Sequence, residues 1–142
     1  MKATTPLLSV QEQMALLQHD DSDTFQPATI QVLCADPHPV VLEGLKKSFA
    51  HHREFGLIRC LTDGANTWRE VLASRPDVLI MEMTLTGLSS MQLIRAVQES
   101  GCSTKIIVFT LASNPLWVEA LAQGVQGLVS KNRTNEELMD AV

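Results

Sequence analysis

From residue 30 onward, short apolar segments alternate with longer segments in which apolar residues recur every three or four positions. The short segments are typical of β-strands and the longer ones of amphipathic α-helices. The predicted strands cover residues 30–34, 57–61, 77–83, 105–110 and 128–130. The predicted helices cover residues 39–51, 65–73, the stretch between 87 and 99, 115–123, and a last segment that begins at a capping box at 134–137.

This alternation predicts an α/β fold in which a parallel sheet is covered by helices on both faces. The segment 77–83 is almost continuously apolar, which is typical of a strand buried on both faces. We predict a doubly wound, five-stranded parallel sheet with the strand order 2-1-3-4-5.

Four polar side chains stand at the predicted carboxyl ends of strands: Asp36, Glu82, Thr110 and Lys131. In open parallel sheets, ligands and chemistry gather beyond these ends. We therefore expect the four residues to converge in space, although polar residues also follow strands in α/β domains that have no site there.

Residues 1–28 differ from the rest, since they contain an acidic, polar stretch and end near Pro27. Within them, a capping-box pattern at residues 9–12 predicts a short helix over 9–18. Val10, Met14 and Leu17 would share one face of that helix. The segment is either a passive leader or a helix that packs on its own domain or on a partner, so we treat 1–28 as an N-terminal extension.

At the C-terminal end of the chain, the sequence predicts a helix that is cut short. Barely two turns follow residue 134 before Val142, and Leu138 and Val142 look like the start of a longer apolar stripe. We expect the chain to be a fragment of a longer protein.

The composition narrows the classes of function. The 142 residues suit one domain, and the 45% apolar and 19% charged shares are ordinary for a globular protein. No apolar run predicts a membrane span and no signal-peptide pattern is present, so we expect a cytoplasmic protein without a membrane partner. The net charge of −5 argues against nucleic-acid binding by this segment.

Three cysteines, Cys34, Cys60 and Cys102, stand far apart in the sequence and lack metal-ligand spacing. Each lies in or beside an apolar run. Buried free thiols are therefore the favoured interpretation.

Residues 30–45 contain Asp36-Pro37-His38-Pro39, and residues 75–83 contain the apolar run that leads to Glu82. Together they resemble the opening segment and the phospho-acceptor strand of response-regulator receiver domains of the NarL/FixJ (LuxR-type) class. Thr110 matches that family's switch hydroxyl, and Lys131 matches its lysine. The resemblance covers residues 29–142 and implies a flavodoxin-like (CheY-like) fold.

The resemblance also implies a function. In this family a histidine kinase passes a phosphoryl group to an aspartate, while magnesium held by carboxylates neutralises the charge. The phosphorylated form usually dimerises and controls a C-terminal helix-turn-helix domain, which would lie beyond residue 142 in the present case. We therefore expect the receiver domain of this chain to be a regulator and not an enzyme.

The sequence departs from the family pattern at several positions of the pocket. The acceptor position holds Glu82, and the second acid of the first-strand pair is replaced by Pro37, which leaves Asp36 as the residual metal carboxylate. Leu111 stands where a small residue is usual, and we expect it to crowd the pocket mouth. The switch aromatic is replaced by Leu128, and the loop that begins at Thr84 lacks the usual proline.

We therefore predict a pseudo-receiver that works without phosphorylation and binds magnesium weakly or not at all. We expect it to form a homodimer and to bind DNA through the C-terminal domain, whereas a kinase partner stays open. Lys131 is expected to pair with Glu82 directly. The alternatives are a receiver that is still phosphorylated on Glu82 or Asp36, and a stand-alone adaptor that binds another protein.

Overall fold

The computed structural model describes residues 10–11, 28–111 and 113–142. The strands are β1 Ile30–Ala35, β2 Phe55–Leu61, β3 Val78–Met81, β4 Lys105–Thr110 and β5 Gly127–Ser130. The helices that follow them are α1 Pro39–Ala50, α2 Gly64–Ser74, α3 Ser90–Glu99, α4 Leu116–Ala122 and α5 Asn135–Ala141. The predicted strands and helices of this part of the chain are confirmed, with small shifts at their ends.

The sheet has five strands, all parallel neighbours, in the order β2-β1-β3-β4-β5. This is the predicted order. The central strand β3 is buried along its whole length, as its continuous apolar sequence predicts. One face of the sheet packs on apolar side chains of α2, α3 and α4, and the opposite face packs on α1 and α5.

The edge strand β2 carries an irregularity in its pairing with β1. Val32 pairs with Leu57, but the next residue, Leu33, pairs with Arg59. The extra residue in β2 shifts the register of everything that follows it. As a result Cys34 stands directly opposite Cys60.

The loop after β3 is held against the start of α2. The backbone N–H of Gly64 donates to the carbonyl oxygen of Thr86 at 2.9 Å. A Cβ atom at position 64 would lie 1.8 Å from the carbonyl oxygen of Leu88, a distance that no real side chain tolerates. Glycine at 64 thus allows this loop to pack closely on α2.

The structure describes part of each terminal segment for which the sequence predicts a helix. Val10 and Gln11 are helical and Val10 is 71% exposed, while Met14, Leu17 and the rest of the predicted 9–18 helix lie outside the described residues. At the other end, Leu138 is fully buried against the α1 face, as its place in an apolar stripe suggests. Over the described ranges, no helix is both long and apolar enough to cross a bilayer.

Candidate functional site

The four polar residues predicted at the strand ends do converge. The sheet keeps its pairing up to this edge, since the N–H of Glu82 donates to Ala35 at 3.0 Å and that of Lys131 donates to Thr110 at 2.9 Å. Asp36, Glu82 and Thr110 are nearly inaccessible, with exposed fractions of 2%, 4% and 2%. The site is therefore a buried polar cluster at the carboxyl edge of the sheet.

Lys131 holds the cluster together. Its Nζ lies 2.7 Å from Oδ2 of Asp36 and also contacts Oε2 of Glu82. The ion pair predicted between Lys131 and Glu82 is thus present, and Asp36 joins it. Among the described residues Asp36 Oδ2 has no well-oriented hydrogen bond, so its contact with the ammonium group is ionic.

The Glu82 carboxylate uses both of its oxygens. Oε1 accepts hydrogen bonds from the Thr110 hydroxyl and from the backbone N–H of Met83, the latter at 2.5 Å, while Oε2 faces Lys131. In the receiver family, by resemblance, the hydroxyl and the lysine grip phosphoryl oxygens. In this structure Thr110 and Lys131 contact the side chain of Glu82 instead.

Asp36 is fixed by the turn that follows it. Its Oδ1 accepts from the backbone N–H of His38 at 2.8 Å and lies 3.0 Å from Nδ1 of the same residue. Pro37 lies between them and offers no carboxylate. Asp36 is therefore committed to His38 on one oxygen and to Lys131 on the other.

The charge state of Lys131 follows from two opposed effects. Burial lowers its pKa, but the close polar contacts and the charge attraction of Asp36 and Glu82 outweigh burial, and the pKa of Lys131 is raised above its usual 10.5. The side chain is therefore an ammonium ion at neutral pH and neutralises carboxylate charge.

A magnesium ion, which the family resemblance implies, does not fit this set of donors. Magnesium needs oxygen ligands in near-octahedral geometry, but the oxygens of Asp36 and Glu82 already face protein donors. In the part of the chain that the structure describes, no group of three or more His, Cys, Asp or Glu side chains is placed to hold a metal. The ammonium group of Lys131 lies between the two carboxylates that would have to bind the magnesium ion.

The other predicted pocket residues lie closer to the surface than the buried cluster. Thr84 is exposed, and the exposed fractions of Leu111 and Leu128 are 48% and 37%. Crowding by Leu111 stays a prediction. Beside Thr110, a cleft of about 590 Å³ opens between α4 and β5, and its lining is Thr110, Trp117, Leu128, Val129, Ser130, Arg133 and Glu137.

Ser90 is a supporting residue that the sequence reasoning missed. Its buried hydroxyl donates to the carbonyl oxygen of Glu82 at 2.8 Å and accepts from the N–H of Leu85 at 3.1 Å. It thereby ties the start of α3 to the backbone of Glu82. The sequence feature that could have indicated this role is a serine in the first turn of the helix that follows the loop.

An acid after β1, an acid after β3, a hydroxyl at the end of β4 and a lysine after β5 define, on this sheet, a receiver-type domain. Residues 32–142 match the family model of the response regulator receiver domain, and the chain belongs to that family.

Among curated relatives, the oxygen regulatory protein NreC of Staphylococcus epidermidis is 29% identical over 115 residues, which cover 80% of this chain and 53% of the relative. The probable transcriptional regulatory protein NarL of Mycobacterium tuberculosis is 27% identical over 118 residues, covering 82% and 55%. These similarities confirm the predicted NarL/FixJ class. The chain spans about half the length of the curated relatives it matches.

Solved structures agree with the fold. The signal receiver domain of NarL from Mycobacterium tuberculosis aligns with a TM-score of 0.75 and 26% identity, over 81% of this chain and 94% of that domain. RcsB of Salmonella enterica serovar Typhimurium, solved on promoter DNA with the phosphomimetic BeF3⁻, aligns with a TM-score of 0.72 and 26% identity, over 80% of this chain and 65% of that one.

Proposed function

We propose that this receiver regulates without being phosphorylated. Its role is non-enzymatic: it dimerises and controls a DNA-binding domain of a cytoplasmic transcriptional regulator. The observation that carries the proposal is the Glu82 carboxylate, which already holds the Thr110 hydroxyl and the Lys131 ammonium. A phosphoryl group would need these same two partners.

The chemistry of transfer supports the proposal. Glutamate places its carboxylate roughly 1.5 Å, one C–C bond, farther along the chain than aspartate would, and in-line transfer tolerates little misplacement. Magnesium would have to displace Lys131 and would gain no carboxylate from Pro37. Both points argue against phosphoryl transfer to residue 82 and against tight binding of magnesium.

The DNA-binding part of the proposal rests on the relatives. NarL is named as a transcriptional regulatory protein, and RcsB was solved on a promoter. The chain described above carries a net charge of −5, which is the wrong sign for phosphate contacts. We therefore assign DNA contact to a domain beyond residue 142.

Phosphorylation of variants tests the proposal. Treated with acetyl phosphate and magnesium, the unmutated chain should gain no phosphate by intact mass spectrometry. Glu82→Asp alone should gain little or none, because it restores the acceptor but not the metal carboxylate. The combination of Glu82→Asp, Pro37→Asp and Leu111→Ala should recover at least weak magnesium binding. A magnesium titration monitored by tryptophan fluorescence measures that binding.

Melting curves must accompany these assays, because proline at 37 constrains the entry into α1 and its replacement carries a folding risk. Efficient labelling of the unmutated chain, or of Glu82→Asp alone, would contradict the proposal and favour a receiver that still accepts a phosphoryl group.

A further inference from the structure

Two cysteines that are distant in sequence are neighbours in the sheet. Cys34 in β1 and Cys60 in β2 are register partners, and the irregularity in β2 creates this pairing. Both side chains point to the sheet face covered by α1 and α5: Cys34 belongs to the buried cluster there, and Cys60 packs against it. Both thiols are free in the structure.

The backbone spacing suits a covalent link between them. Adjacent strands lie about 4.8 Å apart, and a disulfide joins Cα atoms that are roughly 4.4–6.8 Å apart. Partners in register on one face of parallel strands meet this condition without a rearrangement of the fold. The usual Cβ separation of about 3.8 Å is shorter than the strand spacing, so the bond would carry some strain and be readily reduced.

The two thiols differ in access and in acidity. Cys34 is fully buried, whereas Cys60 lies on the edge strand and is partly exposed. A hydrogen bond with the Cys34 thiol lowers the pKa of Cys60, and the nearby charge of Lys46 acts in the same direction against the effects of burial and Glu43. Cys60 is thus the thiol that meets a solute first, and Cys34 is the thiol placed behind it.

We propose that Cys34 and Cys60 form an oxidation site for hydroperoxides that closes to a reversible disulfide. The Cys60 thiolate attacks one oxygen of the peroxide, the O–O bond breaks, and the other oxygen takes a proton and leaves as water or an alcohol. The sulfur is oxidised to a sulfenic acid and the peroxide is reduced by two electrons. The Cys34 sulfur then attacks the Cys60 sulfur, and the S–OH oxygen leaves with the Cys34 proton as water.

The test uses the full chain, first reduced and then treated with a small excess of hydrogen peroxide. Of the three thiols, one should remain when the sample is denatured and titrated. Cys34, Cys60 and Cys102 fall on different tryptic peptides because Lys or Arg residues separate them. Mass spectrometry should therefore find the Cys34 and Cys60 peptides joined, with Cys102 alkylated, and dithiothreitol should separate them.

Serine variants assign the roles. Cys102→Ser is the matched control and should form the same bond. Cys34→Ser should stop at a Cys60 sulfenic acid that dimedone labels, and Cys60→Ser should lose most of the peroxide-dependent change. The proposal is overturned if Cys102 reacts first, if the Cys34 and Cys60 thiols survive the treatment, or if Cys60 links only to a second molecule.

Discussion

At the residue scale, the site depends on one cation shared by two buried acids. Removing water from charged groups costs several kcal/mol per ion, and pairing offsets that cost only when every charge finds a partner. Lys131 supplies this partner to both Asp36 and Glu82. The arrangement is weak evidence for net stability, but it makes the cluster sensitive to loss of the lysine.

We expect Lys131→Met to destabilise the fold by about 3 kcal/mol, because it leaves two buried carboxylates facing each other without a cation. Urea unfolding, followed by circular dichroism, measures the change. Lys46→Met is the control, since Lys46 pairs with Glu43 on an exposed helix surface, where solvent screens the ion pair and its loss should change stability little. Equal losses of unfolding free energy in the two variants would show that the buried cluster depends on its lysine no more than an exposed ion pair does.

The same lysine predicts a response to pH. Its pKa is raised in the folded state, so its stabilising effect is complete below the unfolded value near 10.5 and is lost as the pH rises through the folded value. The unmutated chain should therefore lose stability above pH 10.5 by an amount that Lys131→Met does not show. Urea titrations of both proteins from neutral to alkaline pH measure the difference. Parallel curves for the two proteins would contradict this assignment.

At the element scale, the close packing of the loop after β3 on α2 makes a sharp prediction. Gly64→Ala should cost at least about 1–3 kcal/mol, because its Cβ would collide with the Leu88 carbonyl oxygen and the loop must move. Gly44→Ala is the matched control inside α1, where a Cβ meets nothing within 4 Å. That change should stabilise the chain by about 0.5–1 kcal/mol, since alanine favours a helix over glycine.

Thermal melting of the two glycine variants decides between them. If both changes stabilised the chain, the contact between residue 64 and the loop would be unimportant. A Gly64→Ala protein that unfolds more readily while keeping its helical content would support a loop displaced from α2.

Elements and site were not equally predictable. The apolar runs predicted every strand of the receiver, because a buried parallel strand leaves a continuous signature such as that of β3. The alternation of strands with helices predicted their order. Together they also predicted that Asp36, Glu82, Thr110 and Lys131 converge, since parallel strands end at one edge. The pairing of Cys34 with Cys60 was missed, because it depends on an extra residue in β2 that no local pattern reveals. The role of Ser90 was missed because it depends on tertiary contact.

At the scale of the whole molecule, exposed apolar side chains on α4 and β5 define a candidate contact surface. Val118 and Leu121 are 55% and 44% exposed and lie one helical turn apart, and Leu128 in the neighbouring strand is 37% exposed. Exposed apolar groups of this kind mark interaction surfaces when they cluster. If the chain dimerises as proposed, this surface is the place where we expect the copies to meet.

We predict that the double change Val118→Glu and Leu121→Glu weakens self-association by at least about tenfold, equivalent to roughly 1.4 kcal/mol. Sedimentation equilibrium over a range of concentrations measures it. Leu72→Glu is the control, because Leu72 is 50% exposed on α2, away from this surface. A chain that stays monomeric at all concentrations, or one that only Leu72→Glu dissociates, would place the dimer contact elsewhere or remove it.

The contacts of Thr110 and Lys131 with Glu82 affect how long a regulatory signal would last. An acyl phosphate is a mixed anhydride that water cleaves, so a signal carried by one expires by itself. A glutamate side chain contains no bond that hydrolysis can break. In a regulator that works as proposed, the strength of the response follows the number of copies in the cell. The response then ends only when those copies are degraded, diluted by growth or bound by an antagonist.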